Sequence, residues 1–306
     1  MTGHGQEAVA GRLGLGAAVA AMVLSAACWG FATVMSKGAL SAFSPALLVS
    51  LQLGASVAFL WSAVGVSRQR LRFDRHTRLA ALSGVLEPGL AYVFGTFGLL
   101  LTTAGNASLI ATTEPLLIAL LAWLLFREKV GLPTLLAILA AMAGVAIVTG
   151  AHGAESGFSP AGDLLVILGT VFAALYVVAS SRLVAKVDPL VLAALQQSVG
   201  LIFVLVFLFA WVSPPAIGND LAAAEAGMLA LALVSGIVQY ALAFWLYLIG
   251  LKRLPASTAA LFLTLTPVFG IGGAAFFLGE AVTPWQAIGT LVIIASVAVA
   301  SQVSRR

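Results

Sequence analysis

The sequence predicts an all-α integral membrane protein. Three observations carry that reading: composition, a run of apolar segments at bilayer length, and charge that alternates between their connections. Of 306 residues, 61% are hydrophobic and 8% charged, and the mean hydropathy is +1.11. A soluble domain of this size could not cover its surface with so few charges, whereas a bilayer replaces water as the outer solvent.

A helix needs roughly 20 apolar residues to cross the hydrocarbon core. Ten segments qualify, at roughly 14–36, 45–66, 79–100, 104–126, 132–149, 162–184, 189–212, 226–250, 256–278 and 284–302. Prolines mark several starts: Ser44-Pro45, Leu132-Pro133, Asp188-Pro189 and Thr283-Pro284 place the ring at or near a first turn, where its missing N–H costs nothing. Residues 1–12 and 303–306 read as tails. The apolar run after Arg12 is too long for a cleaved signal segment.

Charge sets the orientation. With both termini on the cytoplasmic side, the inner connections hold 14 of the 15 basic residues, from Arg12 through the Arg68–Arg78 cluster to Arg305 and Arg306. Lys37 alone lies outside, where Glu155, Asp163, Asp220, Glu225 and Glu280 collect. This alternation supports an even number of spans. It also argues against nucleic acid as the partner of a chain with a pI near 9.6, because the basic residues form no single stripe. Trp61, Trp123, Trp211 and Trp285 fall near segment ends, as interfacial anchors do.

The chain repeats itself. Residues 98–149 and 250–301 align without a gap at an offset of 152, matching Gly98 with Gly250, Pro115 with Pro267 and Glu128 with Glu280. Gly84 and Gly236 keep that offset, while Ser36-Lys37 meets Ser181-Arg182 at 145, so seven extra residues fall in the connection around 213–225. Five spans separate the copies, and five is odd, so the halves 13–150 and 160–302 are expected to be inverted in the membrane, a transporter architecture.

Gly279-Glu280-Ala281-Val282-Thr283-Pro284-Trp285-Gln286, with Gly289 and the preceding Pro267, resembles the signature of the EamA repeat. Pro115, Arg127-Glu128-Lys129-Val130, Gly144-Val145 and Trp29-Gly30 carry it in the first half, where Thr134 and Ala137 depart from Gln286 and Gly289. Together they resemble the drug/metabolite transporter superfamily over nearly the whole chain. The resemblance implies ten helices in two inverted EamA repeats, a bacterial inner-membrane location, and export or exchange of amino acids, other metabolites or drugs; a YddG-type amino-acid exporter is the expectation within it, and no motif singles that member out.

Two acids stand inside apolar runs. An ionised carboxylate at mid-bilayer costs on the order of 2.5–3.5 kcal/mol on insertion scales, so Glu87 and Glu114 need a proton, a partner or water. Facing a polar cavity, they could bind an ammonium group or exchange a proton; the bland alternative is a protonated glutamate packing two helices. Pro88, Pro115 and Pro267 are candidate hinges, since each frees a carbonyl one turn earlier. Gln239 and Thr266 occupy the repeat positions of the two acids, so charge is asymmetric between the halves. Trp29, Tyr92, Tyr176, Tyr240 and Trp245 are candidate pocket walls. Small-residue faces at Ala137, Ala140, Ala141 and Gly144, and at Gly270, Gly272 and Gly273, suit close helix packing.

No nucleotide-binding loop occurs, Cys28 is the only cysteine, and His4, His76 and His152 lie outside the apolar runs. No cofactor or metal is therefore expected. The expected function is secondary transport of a small solute through a cavity between the repeats. An intramembrane enzyme is the alternative from another class, and no reactive constellation supports it.

Overall fold

The structure, a computed structural model, describes residues 3–68, 74–102, 107, 110–148, 159–211, 214–279 and 281–303. Every regular element among the described residues is helical. The first half comprises α1 (Gly3–Ala39), α2 (Pro45–Val66), α3 (Arg75–Ser83), a π-helical turn (Val85–Leu90), α4 (Ala91–Leu101), α5 (Glu114–Phe126) and α6 (Leu132–Val148). The second comprises α7 (Pro160–Leu183), α8 (Pro189–Trp211), α9 (Pro214–Ala223), α10 (Ala226–Gly236), a second π turn (Ile237–Leu242), α11 (Ala243–Leu251), α12 (Ala256–Leu263), α13 (Thr266–Leu278) and α14 (Pro284–Val303).

Among the described residues, six stretches are long and apolar enough to cross a bilayer: 14–39, 45–66, 160–183, 189–210, 226–251 and 256–277. The apolar helices at 114–126, 132–148 and 284–300 are shorter. The expected span at 79–100 is broken, because Glu87 takes an extended conformation (φ −148°, ψ 129°) inside the first π turn. The connection expected around 213–225 contains α9.

The proline-marked starts hold: α2, α8 and α14 begin at Pro45, Pro189 and Pro284. Thr283 and Gln286 form a reciprocal cap on α14, with Thr283 N donating to Gln286 Oε1 (2.9 Å) and Gln286 N donating to Thr283 Oγ1 (3.3 Å). The Thr-Pro-Trp-Gln motif thus has a local reason: it satisfies donors that a helix start leaves unpaired.

Elements 152 positions apart share their geometry. The two π turns occupy corresponding residues, although only the first leaves the helical region, at Glu87; α5 and α13 also correspond and both end on a left-handed residue, Arg127 (φ 54°) and Gly279 (φ 67°). In the first two helices of each half the structural offset is 144, not the 145 read from Ser36 and Ser181. Gln52 Nε2 donates to Ser36 Oγ (2.8 Å) and Ser235 Oγ (2.9 Å). Gln196 Nε2 donates to Ser180 Oγ (2.9 Å) and Ser83 Oγ (2.9 Å). The pairing is therefore Ser36 with Ser180 and Gln52 with Gln196; alanine- and leucine-rich helices carry too little contrast to fix a one-residue slip.

Each cluster crosses between the halves. α2 is fastened to α10, and α8 to α3. Glycine makes the approach possible: a Cβ on Gly84 would overlap the Gln196 carbonyl, and one on Gly236 would overlap the Gln52 backbone. α6 and α14 close in the same way, since a Cβ on Gly144 would lie 3.0 Å from the Gly289 carbonyl oxygen. The small-residue faces are only partly used: Ala137, Ala141 and Gly144 are buried, Ala140 and Gly272 exposed. Trp123 and Trp285 are exposed at 51% and 57%, as anchors would be. Trp61 instead donates from Nε1 to Ser198 Oγ of α8 (2.9 Å), and the side chain of Trp211 lies outside the described residues.

Candidate functional site

A cavity of about 360 Å³ opens where α1, the first π turn, α5, α7, α11 and the α12–α13 junction converge. Local sequence chemistry builds it. Pro115 and Pro267 each sit at the first turn of a half-helix, so the strand of helix before them stops, in tight turns at Thr113 and at Thr264-Leu265. Both prolines start helices rather than kink their interiors. Pro88 lies inside its π turn, is buried, and packs against Gly200 of α8, where any Cβ would strike its ring.

The wall is aromatic. Trp29 stands edge-on to Phe244 (centroids 5.2 Å) and tilted against Tyr247 (5.7 Å), and Tyr176 is edge-on to Phe244 (5.8 Å). Such contacts hold the rings in place. Glu87 and Glu114 enter from the side of the first half, near enough to interact electrostatically. Among the described residues, no Lys, Arg or His lines the cavity. The arrangement is a small apolar-sided chamber with a negatively chargeable end, suited to a cationic group attached to a ring-sized body.

Of the residues singled out from sequence, Trp29, Glu87, Glu114, Pro115, Tyr176, Thr266 and Pro267 line this cavity. Tyr92 and Tyr240 do not line it; their rings meet edge-on with centroids 5.6 Å apart. Gln239 is turned away and accepts from Ser36 Oγ (3.0 Å). Trp245 is elsewhere, in a groove with Asp188 and Lys252 near the ends of α2 and α8. Sequence reasoning missed Phe244 and Tyr247, which follow Tyr240 at helical spacing. It also missed the glutamine–serine clusters, which look like ordinary polar residues in a span. The Tyr247 hydroxyl is buried with no hydrogen-bond partner, a group waiting for one.

The elements meeting here also lock at one end. The Glu128 carboxylate, just past α5, accepts from Ser257 N (3.1 Å) and Ser257 Oγ (2.7 Å) at the start of α12. Its repeat mate Glu280 lies outside the described residues. Beside this junction the Arg182 guanidinium stacks 4.3 Å over Phe126.

A bundle of long apolar helices with a cavity between them defines an integral, multi-pass membrane protein. A family model described as "EamA-like transporter family" matches residues 16–150 and again 160–302. The chain belongs to that family, and its curated relatives are transporters. An "Uncharacterized transporter" of Archaeoglobus fulgidus is 29% identical over 227 residues, covering 72% of this chain and 74% of the relative. The "Uncharacterized transporter YvbV" of Bacillus subtilis is 28% identical, covering 90% and 89%. A "Probable terminal-alkyne amino-acid exporter" of Streptantibioticus cattleyicolor is 28% identical, covering 92% and 93%. A solved crystal structure superposes with a TM-score of 0.78 at 23% identity, covering 94% of this chain and 99% of the other, which establishes the fold.

Proposed function

We propose that the protein is a secondary transporter or facilitator that exports amino acids with neutral, preferably aromatic, side chains from a bacterial cytoplasm across the inner membrane. The observation that carries this reading is the chamber itself: Glu87 and Glu114 face Trp29, Tyr176, Phe244 and Tyr247 with no basic side chain among them. The ammonium group lies at the acids, and the ring stacks on the aromatic wall. The Streptantibioticus relative named as an amino-acid exporter supports the class.

In this reading the chain crosses the membrane ten times as two inverted repeats, 13–150 and 160–302, with both termini cytoplasmic. Pro88, Pro115 and Pro267 are the hinges, and alternating access exchanges the conformations of the halves about the chamber. Thr266 and the free Tyr247 hydroxyl contact the polar backbone of the solute, while Tyr92, Gln239 and Tyr240 form the wall behind it.

Counterflow of labelled L-phenylalanine in proteoliposomes tests the proposal, with phenethylamine and phenylpropionate as competitors. Competition by the amine and not by the acid is expected, and Glu87→Gln or Glu114→Gln is expected to abolish accumulation driven by a pH gradient while exchange persists. Absence of phenylalanine counterflow by folded protein would overturn the amino-acid assignment. The missing basic side chain favours one other reading, an exporter of organic cations; transport of phenethylamine without phenylalanine would select it.

A further inference from the structure

The two glutamine–serine clusters are copies of one another, and they differ at two positions. In the cluster around Gln52, Ser36 accepts from Gln52 and donates its own hydroxyl hydrogen bond to Gln239 Oε1. Gln239 lies four residues after Ser235, so one turn of helix contributes two polar groups to the same cluster. In the cluster around Gln196 the corresponding residues are Ser180, Ser83 and Glu87. Ser83 is in place. Glu87, four residues on, is not: its backbone leaves the helical region, and its side chain lines the chamber instead.

Tyr176 fills the gap. Its hydroxyl donates to Gln196 Oε1 (2.9 Å) and lies beside Ser180. At the position 144 residues earlier the other half has Ala32, which offers no hydroxyl. The seat that Gln239 takes in one half is thus occupied in the other by a residue that also lines the chamber.

We infer that the Ser180–Gln196 pair is a second seat for the Glu87 carboxyl, taken when the Tyr176 hydroxyl that now occupies it withdraws, and that Glu87 exchanges between this seat and the chamber as the transporter works. The inference deepens the transport function proposed above and rests on it for its functional arm only. A carboxylic acid has the shape of the glutamine side chain that holds the equivalent seat. Both Gln196 amide protons are already committed to Ser180 and Ser83, so Ser180 Oγ is the one donor left for an acid placed there. An ionised carboxylate with one hydrogen bond in so buried a place is strongly disfavoured, and the seated form therefore carries its proton. In the chamber the carboxylate meets water or the solute's ammonium group instead. The titratable groups near Glu87 are Glu114 of α5, Tyr176 of α7 and Tyr247 of α11, which line the chamber, and Tyr92 of α4 and Tyr240 of the second π turn outside its lining. None brings a positive charge. Solute binding to the ionised carboxylate and proton carriage by the seated acid then exclude one another, and the released proton leaves through the chamber. Ser180 is a positioning residue in this scheme and touches no solute.

Disulfide trapping tests the seat without any solute. In full-length Cys28→Ala protein in native membranes, the pair Ser36→Cys/Gln239→Cys samples a contact the structure already holds, and Glu87→Cys/Ser180→Cys samples the inferred one. Mild oxidation followed by peptide mass mapping is expected to link both pairs. Linkage of the first without the second overturns the inference. The functional arm measures proton release when L-phenylalanine is added to purified protein in weak buffer. The parent is expected to release about one proton per bound solute, Ser180→Ala less than half as much, and Ser180→Thr, which keeps the hydroxyl, the parental amount. Unchanged release from folded Ser180→Ala overturns the inference. Failure of the parent to bind phenylalanine counts against the amino-acid assignment alone, and the trapping result still decides the seat.

Discussion

Gln196 and Gln197 are neighbours in α8, both fully buried, and only one is satisfied. Gln196 holds Ser83 and Ser180 and accepts from Tyr176, whereas neither amide atom of Gln197 has a partner. The same substitution should therefore act with opposite sign. Gln196→Leu removes three hydrogen bonds and is expected to destabilise the protein by about 1–3 kcal/mol; Gln197→Leu removes an unpaired amide and is expected to be neutral or stabilising by up to about 2 kcal/mol. Thermal unfolding in one detergent compares them directly. Another residue-level expectation concerns pH. The Thr77 backbone N–H donates to the Asp74 carboxylate (2.9 Å), closing a cap on α3 and holding that carboxyl below the usual carboxylate range. A lowered pKa in the folded state gives a contribution present above the ordinary aspartate value and lost as pH falls through the folded one. Amide-exchange protection at Thr77 and Arg78 should fall on acidification in that range and stay level in Asp74→Asn.

At the scale of elements, the turn after α5 combines a strained residue with a structural acid. Arg127 is left-handed where its mate in the other half is Gly279. Arg127→Gly is expected to raise stability by about 0.5–1 kcal/mol, the relief of side-chain crowding less the added chain entropy. Glu128→Ala removes two charge-assisted bonds to Ser257 and is expected to cost about 1.5–3 kcal/mol; chemical denaturation of the two variants reads both. Helix starts were legible because proline and the Thr283–Gln286 pair act within one turn. The break at Glu87 was not. Hydropathy averages over a whole span, and Pro88 alone does not say whether a helix bends or opens. Likewise the acids stood out because charge in an apolar run is rare, while Phe244 and Tyr247 could not be told from ordinary filling.

For the whole molecule, the repeat at an offset of 152 was readable from Gly, Pro and Glu, and the structure repeats the same elements at that spacing. The 144 register emerged only from hydrogen bonds between distant helices, which no linear pattern records. Inversion of the halves predicts that reporters fused at the Glu128 and Glu280 turns signal from opposite faces of the membrane; signals from one face would contradict it.

The crossed fastening of α2 to α10 and of α8 to α3 bears on how such a chain can be divided. Neither half owns a complete clasp, yet residues 13–150 carry one of each component: Gln52 with Ser36, and Ser83 with Gly84. Two identical copies, packed head to tail, could supply each other with what the second half now provides. Expressed alone, that segment should be recovered as a dimer or degraded, and co-expression with 160–302 should rescue it.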